Sequence, residues 1–526
     1  MTTHIMTYDT TLRDGEQGGG ISFSLKDKLR IVTRLDELGV DYIEGGYPAS
    51  NPKDLEFFEQ ALQLPLKHAR IVAFGSTCHK GTPAEADLGL EDLIASKAPV
   101  VTIVGKCDEE QVLKALRTSL SENLRMIRDS VEYLRAAGVE VIFDAEHFFD
   151  GYRANPEYAL SCVRAASEAG ALSIDLCDTK GGTLPSQIGE IVQDVAMALP
   201  GQRIGIHCHN DAGCAIANTL SGIAAGATQF QGTVNGIGER TGNADLLVCI
   251  ANLQLKMGYE CVEDLTQLTS VANYVAETAN VTLPANTPYT GSSAFAHKGG
   301  LHASAIARMP TAYSHEDPAS VGNKQHVLVS ELSGRASIAA KAKALGLDLD
   351  DKPELVAEIL DEVKEREAAG YSYEVADGSL ALLMMRHMGI MKQHFTLESF
   401  RVIVDDREDT GASAKDAESE ATIKIHVGED RYVAVGEGVG PVGALDTALR
   451  QAIITYYPGI SDIELIDFKV RILDGEQGTD SITRVTITTA DANGSWGTVG
   501  VSENVIEASW NALVDSIEYG LARMEK

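Results

Sequence analysis

The sequence contains no Cys-x-x-Cys pair, the spacing typical of zinc knuckles, and none of its eight cysteines lies beyond Cys261. Scattered cysteines of this kind indicate reduced thiols in a cytoplasmic protein and argue against a disulfide framework. The N-terminus, Met1 to Tyr8, has no basic segment followed by an apolar one, so no secretory signal is expected. No apolar run is long enough to span a membrane.

Positive charge is also scarce. The chain has 44 lysines and arginines against 76 aspartates and glutamates, a net charge of −32. Such an acidic protein is repelled by nucleic acid and by anionic lipid, which argues against both as partners. At 526 residues the chain is too long for one hydrophobic core, so several domains are expected.

Short apolar runs alternate with longer helical patterns in the first half of the chain. The predicted strands are Ile5–Tyr8, Tyr42–Glu44, Arg70–Phe74, Val100–Val104, Glu140–Phe143, Leu172–Leu176, Arg203–His207 and Gln229–Thr233. Eight such strand–helix units, closing near Met257, match the length of a (β/α)₈ barrel. An open doubly wound sheet would place a glycine-rich phosphate loop after the first strand, and Asp9–Gly15 is not one.

A barrel of this type assembles its active site at the carboxyl ends of its strands. The polar residues expected there are Arg13, Asp14, Gln17, Glu44, Asp144, Glu146, His147, Asp178, Thr179, Lys180, His207, His209 and the stretch Asn235–Asn243. Each group alone could be a helix cap or a solvated loop. Six groups on one rim favour an active site.

His207 and His209 are two residues apart at the end of the seventh strand, so they project to one side while Cys208 projects away. Two adjacent imidazoles are a natural pair of metal ligands, although core or surface histidines also show this spacing. Asp14 could add a carboxylate oxygen and Asn243 a carbonyl oxygen. Such a mixed set suits Mg²⁺ or Mn²⁺, with Zn²⁺ as an alternative.

The same rim carries candidates for the chemistry. A divalent ion could bind a 2-oxo acid through its keto and carboxylate oxygens. Arg13 could stabilise an alkoxide formed at the keto carbon, or it could form a salt bridge with Asp14 or Glu44. Thr179 could bind the substrate carboxylate or cap the following helix, and Glu146 is a candidate for proton transfer.

Three segments, Asp9–Gln17, His207–Gly213 and Gly236–Ala244, resemble in order the signatures of the metal-dependent acyl-CoA condensing enzymes. This family includes 2-isopropylmalate synthase, homocitrate synthase and citramalate synthase. The resemblance covers nearly the whole chain. It implies a barrel whose metal is held by Asp14, His207, His209 and Asn243.

The segment Ala294–Ala303, which follows a predicted linker, is similar to one that reaches over the active site in these synthases. In dimeric members that segment comes from the partner subunit. The resemblance implies His302 as a base and Tyr313 as a supporting hydroxyl, with His297 as the alternative histidine.

The reaction implied by the resemblance is a Claisen condensation of acetyl-CoA with a 2-oxo acid, followed by hydrolysis of the thioester. The residues expected to contact substrate are Arg13, Gln17, Asp144 and Thr179. The residues expected to take part in catalysis are Arg13, Glu146, His302 and Tyr313.

The C-terminal part contains an internal repeat. Tyr432–Gly436 with the helix after it matches Trp496–Gly500 with its helix, and Phe400–Val404 matches Phe468–Ile472. Each unit predicts strands and one helix, giving an α+β domain. The polar stretch Asp405–Glu420 predicts a loop.

The full prediction is a barrel over residues 1–282, a linker and mainly helical subdomains over 283–394, and a C-terminal regulatory domain over 395–526. The methionines near residues 384–391 predict core filling. The C-terminal domain also resembles that of the synthases, which implies a homodimer with an allosteric amino-acid site. The loops Gly438–Pro441 and Gly475–Gly478 are candidates for it, and the alternative is a dimerisation module without ligand.

Two further stretches, Asp41–Pro52 and Trp496–Asn504, resemble the citramalate-forming subfamily. This implies acetyl-CoA and pyruvate as substrates and isoleucine as inhibitor. A 2-isopropylmalate synthase, which takes 2-oxoisovalerate, is the main alternative. A lyase would not need the repeated tail, and an amino-acid sensor on an inactive barrel would not need Arg13, Asp14 and the two histidines.

Overall fold

A computed structural model describes residues 3–48, 52–297, 305, 308–309, 312–324, 326–327, 334–404, 419–473 and 481–525. The chain divides into two compact units. The first comprises Met1–Phe295 and Glu316–Lys324, and the second comprises Ala296–His315 and Gln325–Lys526.

The first unit is a closed barrel of eight parallel strands in sequential order, with strand eight paired to strand one. The strands are β1 Met6–Asp9, β2 Tyr42–Glu44, β3 Arg70–Ser76, β4 Val100–Lys106, β5 Glu140–Glu146, β6 Ser173–Asp178, β7 Arg203–Cys208 and β8 Gln229–Gly232. The predicted (β/α)₈ fold is confirmed. None of the eight cysteines, all of which are described and belong to this unit, forms a disulfide bond.

Ten helices surround and follow the strands. They are α1 Leu25–Leu38, α2 Pro52–Ala61, α3 Leu88–Ala95, α4 Leu120–Ala136, α5 Phe148–Ala154, α6 Pro156–Glu168, α7 Pro185–Ala198, α8 Ala215–Ala224, α9 Leu246–Leu255 and α10 Leu268–Thr278. Local chemistry sets their ends: α1 starts at a capping box of Ser24 with Asp27 and stops at Gly39, whose φ is 95°. No helix in the described part of the chain has the length and apolar character that a membrane span requires.

The barrel interior changes from apolar to polar toward the carboxyl ends of the strands. Tyr8, Tyr42, Val72, Val100 and Ile142 form a buried hydrophobic cluster inside the barrel. Because side chains on a strand alternate, the next inward residue lies two positions later. On β2, β4 and β5 that residue is Glu44, Thr102 and Asp144 respectively, and all three are buried. The polar layer lies where a barrel places its active site.

Three strands are longer than predicted. β4, β5 and β6 continue to Lys106, Glu146 and Asp178, whereas the sequence pattern ended them at Val104, Phe143 and Leu176. Charged residues usually end a strand pattern, but here the backbone pairing continues to Lys106 beside Glu146. Asp144, Glu146 and Asp178 are therefore strand residues rather than loop residues.

The second unit begins with two short strands, β9 Ala296–His297 and β10 His326–Val327, which pair in parallel. Three helices follow: α11 Arg335–Ala344, α12 Pro353–Ala368 and α13 Asp377–His387. They share a core in which Met384 and Met385 are buried and Met388 and Met391 pack against them. The prediction that these methionines fill a core is confirmed.

The C-terminal repeat is confirmed as two three-stranded antiparallel sheets, each followed by a helix. The first consists of β11 Thr396–Val404, β12 Ser419–Val427, β13 Asp430–Gly438 and α14 Pro441–Ile453; the second of β14 Glu464–Ile472, β15 Thr483–Asp491, β16 Gly494–Ser502 and α15 Val505–Met524. The predicted loop Asp405–Glu420 was wrong at its last two residues, which begin β12 because they pair with β13. Residues 405–418 and 474–480, including the candidate loop Gly475–Gly478, lie outside the described residues.

Each sheet packs one face on the helices and leaves the other face to solvent. Along β12 and β15 buried residues alternate with more exposed ones, as a two-faced sheet requires. Large apolar side chains are exposed on the outer strands, among them Val433, Val435, Ile466, Phe468 and Val470. Helix α13 packs on the second sheet, where Ser379 Oγ accepts a hydrogen bond from the Val499 amide at 3.0 Å.

Candidate active site and metal centre

Asp14, His207 and His209 come together inside the mouth of the barrel, and all three are buried. Nε2 of His207 lies 3.6 Å from Oδ2 of Asp14, and Nε2 of His209 lies 3.9 Å from the same oxygen. The two Nε2 atoms are 3.3 Å apart. A carboxylate oxygen and two imidazole nitrogens thus converge on one point.

Strand order explains this convergence. Asp14 lies in the turn after β1, His207 is in β7, and β8 pairs with both of these strands. Gly238, with φ of 153°, completes the site because it has no side chain. A Cβ atom there would lie 2.2 Å from Nδ2 of Asn243 and 3.4 Å from Oδ1 of Asp14.

Asn243 extends the cluster. Its Nδ2 donates to Oδ1 of Asp14 at 3.0 Å. Its Oδ1 is buried and accepts no hydrogen bond within the described part of the chain, and the same is true of Nδ1 of His209 as a donor or acceptor. Buried polar atoms without partners are costly unless a ligand satisfies them. The donor set of one carboxylate, two imidazoles and one amide oxygen therefore fits a divalent cation.

The protonation states also suit a cation. Burial opposes the charge on Asp14, but Arg13, His207 and His209 together outweigh it and lower the pKa of Asp14 to about 2. Burial, followed by the neighbouring His209, lowers the pKa of His207 to about 4. Burial likewise lowers the pKa of His209. Near neutral pH the site holds a carboxylate and two neutral imidazoles, the forms that bind metal.

Arg13 lies next to this cluster and is held from three sides. Its Nε donates to Oε1 of Glu44, and its Nη1 lies 3.3 Å from Oδ2 of Asp14. The guanidinium carbon lies 4.0 Å from the ring centre of Phe74. Burial opposes the charge on Arg13, but Glu44 and Asp14 raise its pKa on balance. Both salt bridges considered from the sequence are present.

Glu146 lies at the end of β5, where its carboxylate pairs with Nζ of Lys106 on β4. Thr179, after β6, accepts a hydrogen bond from the backbone N–H of His147 at 2.8 Å. Thr179 Oγ1 thereby joins the ends of β5 and β6, and helix α7 begins only at Pro185. Its alternative role as a cap of that helix is wrong for this reason.

The other expected substrate residues differ in exposure. Asp144 is buried on β5, and burial, followed by the nearby Asp175, raises its pKa. Gln17 is exposed at the end of a short 3₁₀ turn formed by Gly15–Gln17. His302 lies outside the described residues. Tyr313 belongs to the second unit, is 51% exposed, and its ring centre lies 6.4 Å from that of His297.

Sequence reasoning missed several residues around the site, namely Phe74, Lys106, Asp175 and Gln231. A signal for Gln231 was present: Gln229 and Gln231 are polar residues two apart within a buried strand, so both face one side. The partners of these side chains come from other strands, and the sequence alone does not pair them.

Three family models match the chain. The HMGL-like model matches residues 4–275, the "Homocitrate synthase post-HMGL domain-like" model matches 289–370, and the "LeuA allosteric (dimerisation) domain" model matches 374–521. The first spans the barrel and contains all the residues of the candidate metal centre.

Full-length relatives carry the same order of domains. The chain is 49% identical to the (R)-citramalate synthase of Aquifex aeolicus, over 100% of this chain and 99% of that one. It is 51% identical to the (R)-citramalate synthase of Streptomyces coelicolor, over 98% and 96% of the two chains. It is 44% identical to that of Sulfolobus acidocaldarius, over 99% and 97%. The chain belongs to the HMGL-like family, in its 2-isopropylmalate synthase and homocitrate synthase branch.

Proposed function

We propose that this protein is an (R)-citramalate synthase, which condenses acetyl-CoA with pyruvate and hydrolyses the thioester to citramalate and coenzyme A. The observation that carries the proposal is the identity of about half of all residues, over the full length, to relatives of that name. The convergence of Asp14, His207 and His209 beside Arg13 supports it, because the relatives' reaction needs an activated keto group.

We assign Asp14, His207, His209 and Asn243 as the residues that hold a divalent cation, with Mn²⁺ or Mg²⁺ favoured over Zn²⁺. The oxygen donors of Asp14 and Asn243 favour the harder ions. A bound cation would supply Lewis acidity and a template for the keto and carboxylate oxygens of the 2-oxo acid.

The role proposed for Arg13 is to stabilise the alkoxide that forms when the keto carbon is attacked. Its Nε and Nη1 are engaged by Glu44 and Asp14, so the donor assigned to the alkoxide is Nη2. The stacking on Phe74 and the two ion pairs hold the guanidinium in place before the reaction starts. Donors that are already oriented stabilise a developing charge without reorganisation.

Proton transfer requires groups beyond the metal centre. His302, with Tyr313 in support, is proposed to remove a proton from the methyl group of acetyl-CoA. The new carbon–carbon bond joins that methyl carbon to the keto carbon, and the alkoxide oxygen then takes up a proton. Glu146 is proposed to orient the water that cleaves the thioester, and the sulfur leaves as the thiol of coenzyme A. Gln17, Asp144 and Thr179 are proposed to contact the 2-oxo acid.

The acceptor preference tests the proposed function most directly. We expect turnover with pyruvate to exceed turnover with 2-oxoisovalerate by at least about tenfold in kcat/KM, the discrimination that one or two buried methyl groups can provide. Release of free thiol from acetyl-CoA measures both reactions, and a reaction without any 2-oxo acid is the blank. A clear preference for 2-oxoisovalerate would instead identify a 2-isopropylmalate synthase.

We further propose that the protein is a homodimer inhibited by isoleucine through its C-terminal domain. The match to an allosteric dimerisation domain and the exposed apolar side chains of β13 and β14 support this proposal. Gly438–Pro441, which joins β13 to α14, is a proposed part of the amino-acid site. The domain division at residues 282 and 394 and a reducing, cytoplasmic location, in line with eight unpaired cysteines, complete the proposal.

Removal of residues from about 395 onward should abolish inhibition by isoleucine while some activity is retained, with a boundary uncertain by about 2–4 residues. The measurement is thiol release at increasing isoleucine, with leucine as the control amino acid. Because α13 packs on the second sheet, a second truncation from residue 374 should be made in parallel. Inhibition that survives either truncation would place the site elsewhere in the chain.

A further inference from the structure

A buried series of hydrogen bonds leads from the metal centre into the barrel. Nδ1 of His207 lies 2.9 Å from Oε1 of Gln231, its neighbour in register on β8. Nε2 of Gln231 donates to Oδ1 of Asp144 at 2.8 Å and to Oδ2 of Asp175 at 2.9 Å. Gln231 and Asp175 have no exposed surface, and Asp144 is 4% exposed.

The two carboxylates determine which way the Gln231 amide faces. Both Asp144 and Asp175 lie within hydrogen-bond distance of the same end of the side chain, and that end must be the NH₂ group, which has two protons to give. The carbonyl oxygen therefore faces His207. Since a carbonyl oxygen only accepts, Nδ1 of His207 must carry the proton.

This protonation leaves the lone pair of His207 on Nε2, the atom that faces Asp14 and His209. In the opposite tautomer Nδ1 would confront the Gln231 oxygen with a lone pair, and Nε2 could not bind a cation. The ring is thus held in the one tautomer and orientation in which it can act as a ligand.

The far end of the series is itself fixed. Asp175 also accepts from Nε2 of Gln229 at 2.7 Å and from Oγ of Ser173. Room for its carboxylate exists only because residue 205 is glycine: a Cβ atom at Gly205 would lie 2.2 Å from Oδ1 of Asp175. Five strand positions therefore cooperate to aim one amide.

We propose that Gln231 is a positioning residue, which acts through His207 to preorganise the metal centre and is itself oriented by Asp144 and Asp175. The inference rests on the metal site proposed above. Outer hydrogen-bond partners of ligating histidines orient the ring and strengthen its nitrogen as a ligand. Loss of such a partner weakens metal binding by about 10–100-fold.

The test compares Gln231→Met with the matched control Gln229→Met in the full-length, chelator-stripped protein. Both variants remove a buried amide from the same strand and a hydrogen bond to the same Asp175 oxygen, but only Gln231 bonds His207. The readout is the dissociation constant for Mn²⁺, titrated in the absence of substrates, and the melting temperature of each metal-free protein reports the cost to folding.

We expect Gln231→Met to raise the Mn²⁺ dissociation constant about 10–100-fold and Gln229→Met to change it less than about threefold. Equal Mn²⁺ affinity of Gln231→Met and wild type would overturn the inference, as would equal weakening by both variants. Absence of Mn²⁺ binding by the wild-type protein would overturn the metal site itself.

A second variant covers failure of Gln231→Met to fold. Gln231→Glu keeps an acceptor for Nδ1–H of His207 and loses only the donation to the two aspartates. We expect it to bind Mn²⁺ within about tenfold of wild type even where its melting temperature falls, because the ring stays oriented. Weakening beyond tenfold in a folded Gln231→Glu protein would show that acceptance from His207 is not what matters, and would overturn the proposal.

Discussion

Asp14→Ala or His207→Ala should reduce kcat by roughly 10³-fold or more. The proposed cation supplies several kcal/mol of stabilisation to the developing charge, and about 1.4 kcal/mol corresponds to each factor of ten in rate. Treatment of the wild-type protein with a chelator should have the same effect. Addition of Mn²⁺ or Mg²⁺ should restore the stripped wild-type protein but neither variant.

A matched control is His4→Ala. His4 precedes β1 at the opposite end of the barrel, and its imidazole pairs with Asp41 at 3.1 Å. It is largely exposed, so its loss should change kcat little and stability by less than about 1 kcal/mol. Near-normal turnover of the stripped protein without added metal would contradict the assignment of Asp14, His207 and His209 as ligands.

Arg13→Gln should lower kcat by about 10²–10³-fold, the effect of removing a preorganised donor from a developing oxyanion. Arg13→Lys should recover only part of the loss, because an ammonium group cannot engage Glu44 and Asp14 from two edges of one plane. The measurement is kcat and KM for pyruvate at saturating acetyl-CoA. The effect should fall on kcat more than on KM.

Arg13 also has a structural role that the experiment must separate from catalysis. Removing it leaves the side chain of Glu44 charged and without any exposed surface, and breaking such a pair costs about 3–5 kcal/mol. The double variant Arg13→Gln/Glu44→Gln removes both charges, so its stability should approach that of wild type while kcat stays low. If kcat recovers together with stability, Arg13 serves the fold and not the alkoxide.

Arg70→Gln is the control for loss of a guanidinium. Arg70 makes two hydrogen bonds of 2.9 Å to Glu140 at the amino end of the barrel, where the pair is exposed. Its loss should leave kcat unchanged and should cost less than about 1 kcal/mol of stability.

Much of the fold was contained in the sequence. Regular alternation of apolar strands and helices predicted the closed barrel, and repeated apolar positions predicted the two similar halves of the C-terminal domain. The period of two also placed His207 and His209 on one side of β7, because that relation depends only on strand geometry. Strand ends were less predictable, since β5 continues through Asp144 and Glu146 on the strength of its pairing with β4.

The partners of each site residue were decided by the tertiary structure. Strand closure alone brings Asp14 of the first turn within 4 Å of two histidines in and after β7. The same holds for Arg13, whose competing salt bridges to Asp14 and Glu44 proved to be simultaneous. His302 and the role of Tyr313 stay predictions, because His302 lies outside the described residues and Tyr313 belongs to the other unit.

The sequence by itself determined the fold class, the residue types of the metal centre and the family. Periodicity, spacing and motif order are local properties that a single chain carries. Only the tertiary structure decided that Gln231, Asp144 and Asp175 lie behind His207 and fix its tautomer. These residues come from three strands far apart in the chain, and their hydrogen bonds exist only where the register of the closed barrel sets them side by side.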